Sequence, residues 1–386
     1  MNMEDMNIKE KVCSIYSLNK GFKKCKSNRM WKPSVMDYFL HLARYNYVLH
    51  KRLIADTYIV KPCYNFIIHE PKRREIQAPY LTDRIVQSSV CNNFLKEKLR
   101  FTFIRENTAC QEGKGTDDAR TLLKEQLRRY VRKYGTDGVV WKIDLKNFFG
   151  SIDGDCLHEL NVKYIQNKWI VRFIEQWGVP QGSKGLGLGA ETNQAESCLA
   201  LHPIDTFFKT VAGCKYYVRY QDDIMVILKD KNKVRKLQSQ LILQLDKLKL
   251  KLNHKKTQIY KLRSWYPFLG FKFSVTESGK VLVKIKPESV KKERRRARHQ
   301  TKVISAKEIK TSSICWIAHA SKGNNYFIIK RMEAYIMEIV RQQREQEKQL
   351  ERIAAIAEKL IANQDYIAMM ADIELPTEET KEAANE

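Results

Sequence analysis

The chain has 386 residues and an ordinary hydrophobic share of 43%, enough for a sizeable core and, by length, for two or three structural units. Seventy Lys and Arg face 44 Asp and Glu, a net charge of +26 that favours a polyanionic partner, because each neutralised phosphate releases condensed counterions. Nine cysteines without a C-x-x-C spacing argue against structural zinc and a disulfide framework; no apolar run nears the roughly 18–20 residues that span a bilayer, and the N-terminus lacks a signal-peptide core, so a cytoplasmic protein with no membrane partner is expected.

The charge is uneven. Residues 341–386 carry six basic and eleven acidic side chains, leaving +31 on the first 340 residues. An acidic tail of this kind is not expected to lie on a nucleic-acid track.

In chain order, residues 1–65 read as helical and basic, with helical apolar spacing over 31–54. Cys63-Tyr64-Asn65-Phe66-Ile67-Ile68 reads as a strand, followed by a basic turn at 71–74 and the short run Glu75-Ile76-Gln77-Ala78. A helix fits 82–99, with Thr82 as N-cap. The β-branched run Val139-Val140-Trp141-Lys142-Ile143-Asp144-Leu145 reads as a strand leading to Phe148-Phe149 at a turn. Residues 155–175 read as helix, 178–189 as a glycine-rich loop, and 190–208 as helix. Two apolar strands, 216–220 and 224–228, flank Gln221-Asp222-Asp223 as a tight hairpin turn. An amphipathic helix covers 233–250, and strand runs cover 265–275 and 280–286. A basic helix runs from Pro287 to about Lys302, and further helical stretches cover 326–341 and 341–370. The end from about Pro376 is acidic and expected to be disordered.

The chemistry concentrates in two acidic spots. Asp144 ends an apolar strand, and Asp222 and Asp223 sit in a hairpin turn between two others. Carboxylates at strand ends and turns can converge on one point, and such hard oxygen ligands suit Mg²⁺ or Mn²⁺. Two such ions about 4 Å apart can activate a 3′-hydroxyl and stabilise a leaving pyrophosphate. Taken alone, Asp222-Asp223 reads first as an ordinary turn, since Asp favours turns.

Flanking residues decide between these. Tyr220-Gln221-Asp222-Asp223 resembles the Y-x-D-D motif of reverse transcriptases, and Ile143-Asp144-Leu145-Lys146-Asn147-Phe148-Phe149 resembles their motif A. Glu70-Pro71-Lys72-Arg73-Arg74-Glu75-Ile76 is similar to the fingers strand of retron and group II intron-type enzymes, and Asp83-Arg84-Ile85-Val86-Gln87 to the helix after it. Leu252-Asn253-His254-Lys255-Lys256-Thr257 looks like motif D, and Phe268-Leu269-Gly270-Phe271 like the primer grip. Each block is weak alone, but six occur in family order over about residues 60–340.

The resemblance implies an α+β right-hand polymerase fold. The N-terminal extension and fingers would occupy 1–110, and the palm 111–275, an antiparallel sheet packed on helices. A basic helical thumb would follow over 276–340, and an acidic amphipathic helix and tail over 341–386. It implies two Mg²⁺ ions, with Mn²⁺ as a substitute, held by Asp144, Asp222, Asp223 and the Leu145 carbonyl. Lys72 and Arg74 would hold the triphosphate, and Phe149 would exclude a ribose 2′-hydroxyl. Lys256 would be the general acid for pyrophosphate, with Lys255 its neighbour and rival. Lys291, Lys292, Arg294, Arg295, Arg296 and Arg298 would grip the template–primer backbone, although basic helices also bind proteins and membrane surfaces.

Motif B departs from the commoner pattern. Pro180-Gln181-Gly182 is present, but no Ser-Pro follows. Leu188-Gly189-Ala190-Glu191-Thr192-Asn193-Gln194 instead resembles the variant found in diversity-generating retroelement reverse transcriptases, with Asn193 in place of the commoner Ser. Blocks 109–116 and 322–326 also resemble that subfamily. Gly189 would allow close approach to base and template, and Gln194 would lie near the nucleotide. The subfamily implies error-prone copying of template adenines in a template-repeat RNA, with an RNA template, a nucleic-acid primer, dNTPs and a small basic accessory protein as partners. A phosphate-cradling P-loop fits the glycine-rich loop poorly, because the G-K-[ST] ending is missing. The alternatives are another bacterial reverse transcriptase, of defence or unassigned type, and a non-catalytic RNA-binding protein that keeps the fold.

Overall fold

The computed structural model describes residues 3–69, 73–301, 304 and 306–371. Lys72, Lys302 and the acidic end from 372 onward lie outside the described residues. Two compact units are present, one built from residues up to 269 with 273–281, the other from 270–272 and from 282 onward. No helix among the described residues is long and apolar enough to cross a membrane.

The first unit opens with four helices, α1 (Met3–Cys13), α2 (Ile15–Lys26), α3 (Pro33–Leu40) and α4 (Leu42–Ile54). A two-stranded ribbon follows, β1 (Tyr64–Ile68) and β2 (Arg74–Ala78), paired antiparallel with Phe66 opposite Ile76. Next come α5 (Leu81–Val90), a π-helical turn at Cys91–Leu95, α6 (Lys96–Thr102) and α7 (Thr116–Tyr134). Strand β3 (Val139–Ile143) leads to α8 (Phe148–Ser151), α9 (Gly154–Ile165), α10 (Lys168–Ile174), α11 (Glu191–Ala200) and α12 (His202–Thr206). Then follow β4 (Tyr217–Tyr220), β5 (Asp223–Leu228), α13 (Lys231–Lys247), β6 (Gln258–Lys261) and β7 (Tyr266–Phe268). Strands β8 (Phe271–Val275) and β9 (Val281–Ile285) form a three-stranded sheet with β7, in the order β7–β8–β9.

The central sheet has the order β4–β5–β3–β6, with every pairing antiparallel. Strand side chains alternate between faces. Trp141 and Ile143 of β3, with Ile224, Val226 and Leu228 of β5, share one buried cluster with Ile204, Phe208, Leu237 and Leu241 from α12, the π-helical turn after it, and α13. Lys142 and Asp223 belong to the opposite face and remain partly exposed.

Several expected elements are shorter than their sequence pattern. The 155–175 helix breaks at Gln166, which takes a left-handed φ of 59°, and Asn167 restarts it by accepting the Ile170 N–H at 2.8 Å. The 265–275 run is two strands, because Leu269 (φ 42°) and Gly270 (φ 87°) turn the chain. The hairpin turn consists of Gln221 and Asp222, while Asp223 already pairs with Tyr220. Helix α7 has acidic residues in its first turn and basic ones in its last, as the helix dipole favours, yet no sequence expectation covered it.

The second unit contains α14 (Pro287–Gln300), α15 (Ala306–Ala320) and α16 (Tyr326–Ala371). The two helical stretches expected to meet at 341 form one 46-residue helix, with Leu350, Ile353, Leu360 and Ile361 exposed along it.

Candidate active site

Strand register assembles the acidic site. Ile143 pairs with Ile224 in an antiparallel ladder, so the next step places Asp144 opposite Asp223. Opposite positions in such a ladder bring Cβ atoms to about 4.5–5.5 Å. Asp222, one residue back, occupies the turn. Burial pushes the Asp222 carboxyl above its usual range; the Asp223 and Asp144 charges add to the rise, and Arg74 opposes it. Lys142, on the same face, brings its Nζ to 3.9 Å from Asp223 Oδ1.

The turn is held from behind. Gln221 adopts a left-handed φ of 52°, a conformation that costs a non-glycine residue about 1–2 kcal/mol. Three contacts hold it there. Ser197 Oγ donates to Gln221 Oε1 at 2.9 Å, Gln221 Nε2 donates to Cys110 Sγ at 2.8 Å, and Arg219 Nη1 donates to the Gln221 carbonyl at 3.1 Å. Arg219 is itself fully buried and bonded to Asp205, with Nε to Oδ1 at 2.6 Å and Nη2 to Oδ2 at 2.5 Å. Tyr217 also donates to Asp205 Oδ1, at 2.6 Å. Sequence reasoning missed Asp205, Arg219 and Cys110, since nothing local marks a pair 14 residues apart as partners.

Around the carboxylates the expected residues fall as follows. Phe148 enters the core, while Phe149 stays half-buried with its ring 5.2 Å from that of Phe148. Leu145 is buried and bridges to Leu252. Lys255 and Lys256 are both exposed on the turn at 252–257, and Lys255 lines an open groove of about 610 Å³ with Lys146 and His254. Arg74 begins β2, and Lys72 lies outside the described residues.

The glycine-rich loop docks on the ribbon. The Gln77 N–H donates to the Leu188 carbonyl at 2.8 Å, and a Cβ on Gly189 (φ 145°) would run into the Gln77 carbonyl oxygen. Gly189 therefore serves a close approach to β2. Asn193 is buried and donates to the carbonyls of Trp177 and Gly187, both at 3.0 Å, which ties the loop to α11. Gln194 is exposed; with Gly189, Arg84 and Gln87 it lines a cleft of about 440 Å³ that also includes Lys24 and Arg29 of the N-terminal segment.

Glu196 lies on α11 two residues beyond Gln194. It accepts from Asn161 Nδ2 at 2.9 Å on Oε1, its Oε2 has no protein partner, and burial pushes its carboxyl up to about 8. A carboxyl with a raised folded-state pKa binds its proton more tightly folded than unfolded. Its contribution to stability is present below about pH 4.5 and is lost as pH rises through about 8. Glu196→Gln is expected to flatten that part of the stability profile, read by melting across pH. An unchanged slope would show that the carboxyl is hydrated and ordinary.

In the second unit, Arg294, Arg295, Arg298 and His299 line a cleft of about 400 Å³ with Tyr335, whose ring lies 5.4 Å from the Arg294 guanidinium. Lys291 and Lys292 are exposed. Arg296, expected beside them on the nucleic-acid face, instead donates to Glu293 at 2.6 Å and to the Ser312 carbonyl at 3.0 Å. Helical periodicity turns it toward α15 and leaves it only partly exposed.

The donor chemistry at the acidic site fits a hard divalent cation: carboxylate oxygens only, with repulsion among them that such a cation would relieve. Among the described residues no group of three His, Cys, Asp or Glu stands close enough to form a ready ligand cluster.

An antiparallel sheet bearing Asp144, Asp222 and Asp223, with a glycine-rich loop docked on β2, has the make-up of a nucleotidyl-transfer palm. Residues 71–273, more than half of the chain, match the family described as reverse transcriptase (RNA-dependent DNA polymerase), and the chain belongs to that family. Its mixed helix-and-sheet architecture is the right-hand polymerase fold that the sequence implied. Among solved structures it is similar to telomerase from Candida albicans in complex with a telomeric RNA fragment (TM-score 0.48, 12% identity, covering 73% of this chain and 55% of that one). It is also similar to C-terminally truncated apo telomerase from Candida tropicalis (TM-score 0.44, 13% identity, 58% and 56%). The chain spans about half the length of these structures. No curated protein sequence matches it.

Proposed function

We propose that the chain is an RNA-directed DNA polymerase that transfers dNTPs to a primer 3′-hydroxyl on an RNA template. The observation that carries this reading is the register that sets Asp144 opposite Asp223 with Asp222 in the adjoining turn. Asp144, Asp222, Asp223 and the Leu145 carbonyl would hold two Mg²⁺ ions, or Mn²⁺, which lower the barrier by stabilising the attacking and leaving oxygens. Arg74, with Lys72, orients the triphosphate, and Phe149 lies against the sugar and disfavours ribonucleotides. Lys256 protonates the departing pyrophosphate. Lys291, Lys292, Arg294, Arg295 and Arg298 neutralise the template–primer backbone.

The finer reading is a diversity-generating retroelement enzyme that copies a template-repeat RNA with errors at adenines. It is supported by the 188–194 block, whose Gly189 and Gln194 line one cleft. A small basic accessory protein is its proposed partner, and the cytoplasm its proposed location.

The test is primer extension by purified protein with an RNA template, Mg²⁺ and four dNTPs, followed by sequencing of the product. DNA with errors concentrated opposite template adenines is expected. Accurate DNA would remove the retroelement reading and keep the polymerase. No DNA, even with the accessory protein and native template, would overturn both.

A further inference from the structure

The turn at 252–257 converges on one residue, Asp144. The Asn253 N–H donates to the Asp144 carbonyl at 2.8 Å, and the Lys146 N–H donates to the Lys251 carbonyl at 2.9 Å, so the two segments run as a short antiparallel bridge. Thr257 Oγ1 accepts from the Asp144 N–H at 3.2 Å and donates to the Asp144 carbonyl at 3.3 Å, as one hydroxyl can. The side chain is gripped as well: Asn253 Nδ2 donates to Asp144 Oδ2 at 2.8 Å. The turn closes on itself through the Thr257 N–H, which donates to the Asn253 carbonyl at 2.8 Å.

An aspartate carboxylate rotates about a broad, soft torsion. A donor on one of its oxygens removes that freedom and leaves the other oxygen uncommitted by the contact. The donor type matters. A lysine there would repel a divalent cation, and a carboxylate would repel Asp144. An amide orients the ligand while adding no net charge. Lys256 is carried by the same turn, its N–H donating to the Asn253 carbonyl at 3.2 Å.

We propose that Asn253 is a positioning residue that presents the Asp144 carboxylate to the divalent cation, with Thr257 fixing the backbone beneath it. The inference rests on the polymerase reading and names a residue that acts through a metal ligand, not on substrate.

The test is Mn²⁺ binding, followed by electron paramagnetic resonance, to protein bound to template and a chain-terminated primer, so that no turnover contributes. Outer-shell partners of metal ligands are typically worth about 10–100-fold in affinity or activity. Asn253→Ala is expected to weaken Mn²⁺ binding by about tenfold or more and to lower kcat while leaving the dNTP KM nearly unchanged. Thr257→Val is expected to weaken it too, and Thr257→Ser to restore it, because serine keeps the hydroxyl. That pair decides the matter if Asn253→Ala fails to fold. Wild-type Mn²⁺ affinity in Asn253→Ala, or equal weakening in both Thr257 variants, would overturn the positioning role and leave the polymerase standing. A wild-type protein that binds no Mn²⁺ would overturn both.

Discussion

Asp222→Ala combined with Asp223→Ala is expected to lower metal-dependent dNTP incorporation by about three to four powers of ten while RNA binding changes only a few-fold. A metal site supplies several kcal/mol of transition-state stabilisation, and each 1.36 kcal/mol is about tenfold in rate. The fold is expected to tolerate the change. The turn is held by Gln221, Ser197, Cys110 and Arg219, and none of those contacts uses an Asp222 or Asp223 side chain. Burial and like charge already disfavour ionised Asp222, so its removal relieves repulsion. The proposed RNA contacts are basic groups of α14, which belongs to the other unit. Parallel extension and filter-binding assays read both quantities. Retained incorporation would move the active site elsewhere.

Asp205→Ala is expected to destabilise the first unit by about 3–5 kcal/mol, the usual cost of leaving a buried charge without its partner. Arg219 and Asp205 are both fully buried, and Tyr217 would lose its acceptor in the same step. The guanidinium also holds the carbonyls of Gln221 and Cys198, at 3.1 and 3.2 Å, so the loss reaches the turn that carries Asp222. Adding Arg219→Met should recover much of the stability, because two apolar groups can replace a buried ion pair, yet activity should stay low with the Gln221 contact gone. Chemical denaturation and primer extension on the same proteins separate the two effects. A loss below about 1 kcal/mol, the scale of exposed pairs, would show that water reaches the guanidinium.

Motif-level chemistry was well expressed along the chain. The run expected over 139–145 formed a strand over Val139–Ile143, where β-branched residues suit a pleated, buried surface. The 216–228 hairpin formed as expected, although its turn closes one residue earlier, at Gln221 and Asp222. Phe148 is buried, while Phe149 beside it on α8 is only partly buried against the same core cluster. Less was legible where one residue changed direction. Gln166 and Leu269 take left-handed conformations that their side chains do not advertise. Arg296 looks like its basic neighbours in sequence, and its bonds to Glu293 and the Ser312 carbonyl are visible only in the fold.

By itself, the amino-acid sequence nominated Asp144, Asp222 and Asp223 as candidate ligands and carried the order of the polymerase-like blocks and the excess of basic residues, because each is written in neighbouring residues. Only the tertiary structure decided that Asp144 stands opposite Asp223, that Asn253 clasps Asp144, that Gly189 spends its missing side chain on Gln77, and that Arg219 finds Asp205. Those facts depend on strand register and on contacts between separate segments, and a hydrogen-bond partner 14 or 109 residues away leaves no trace in local pattern.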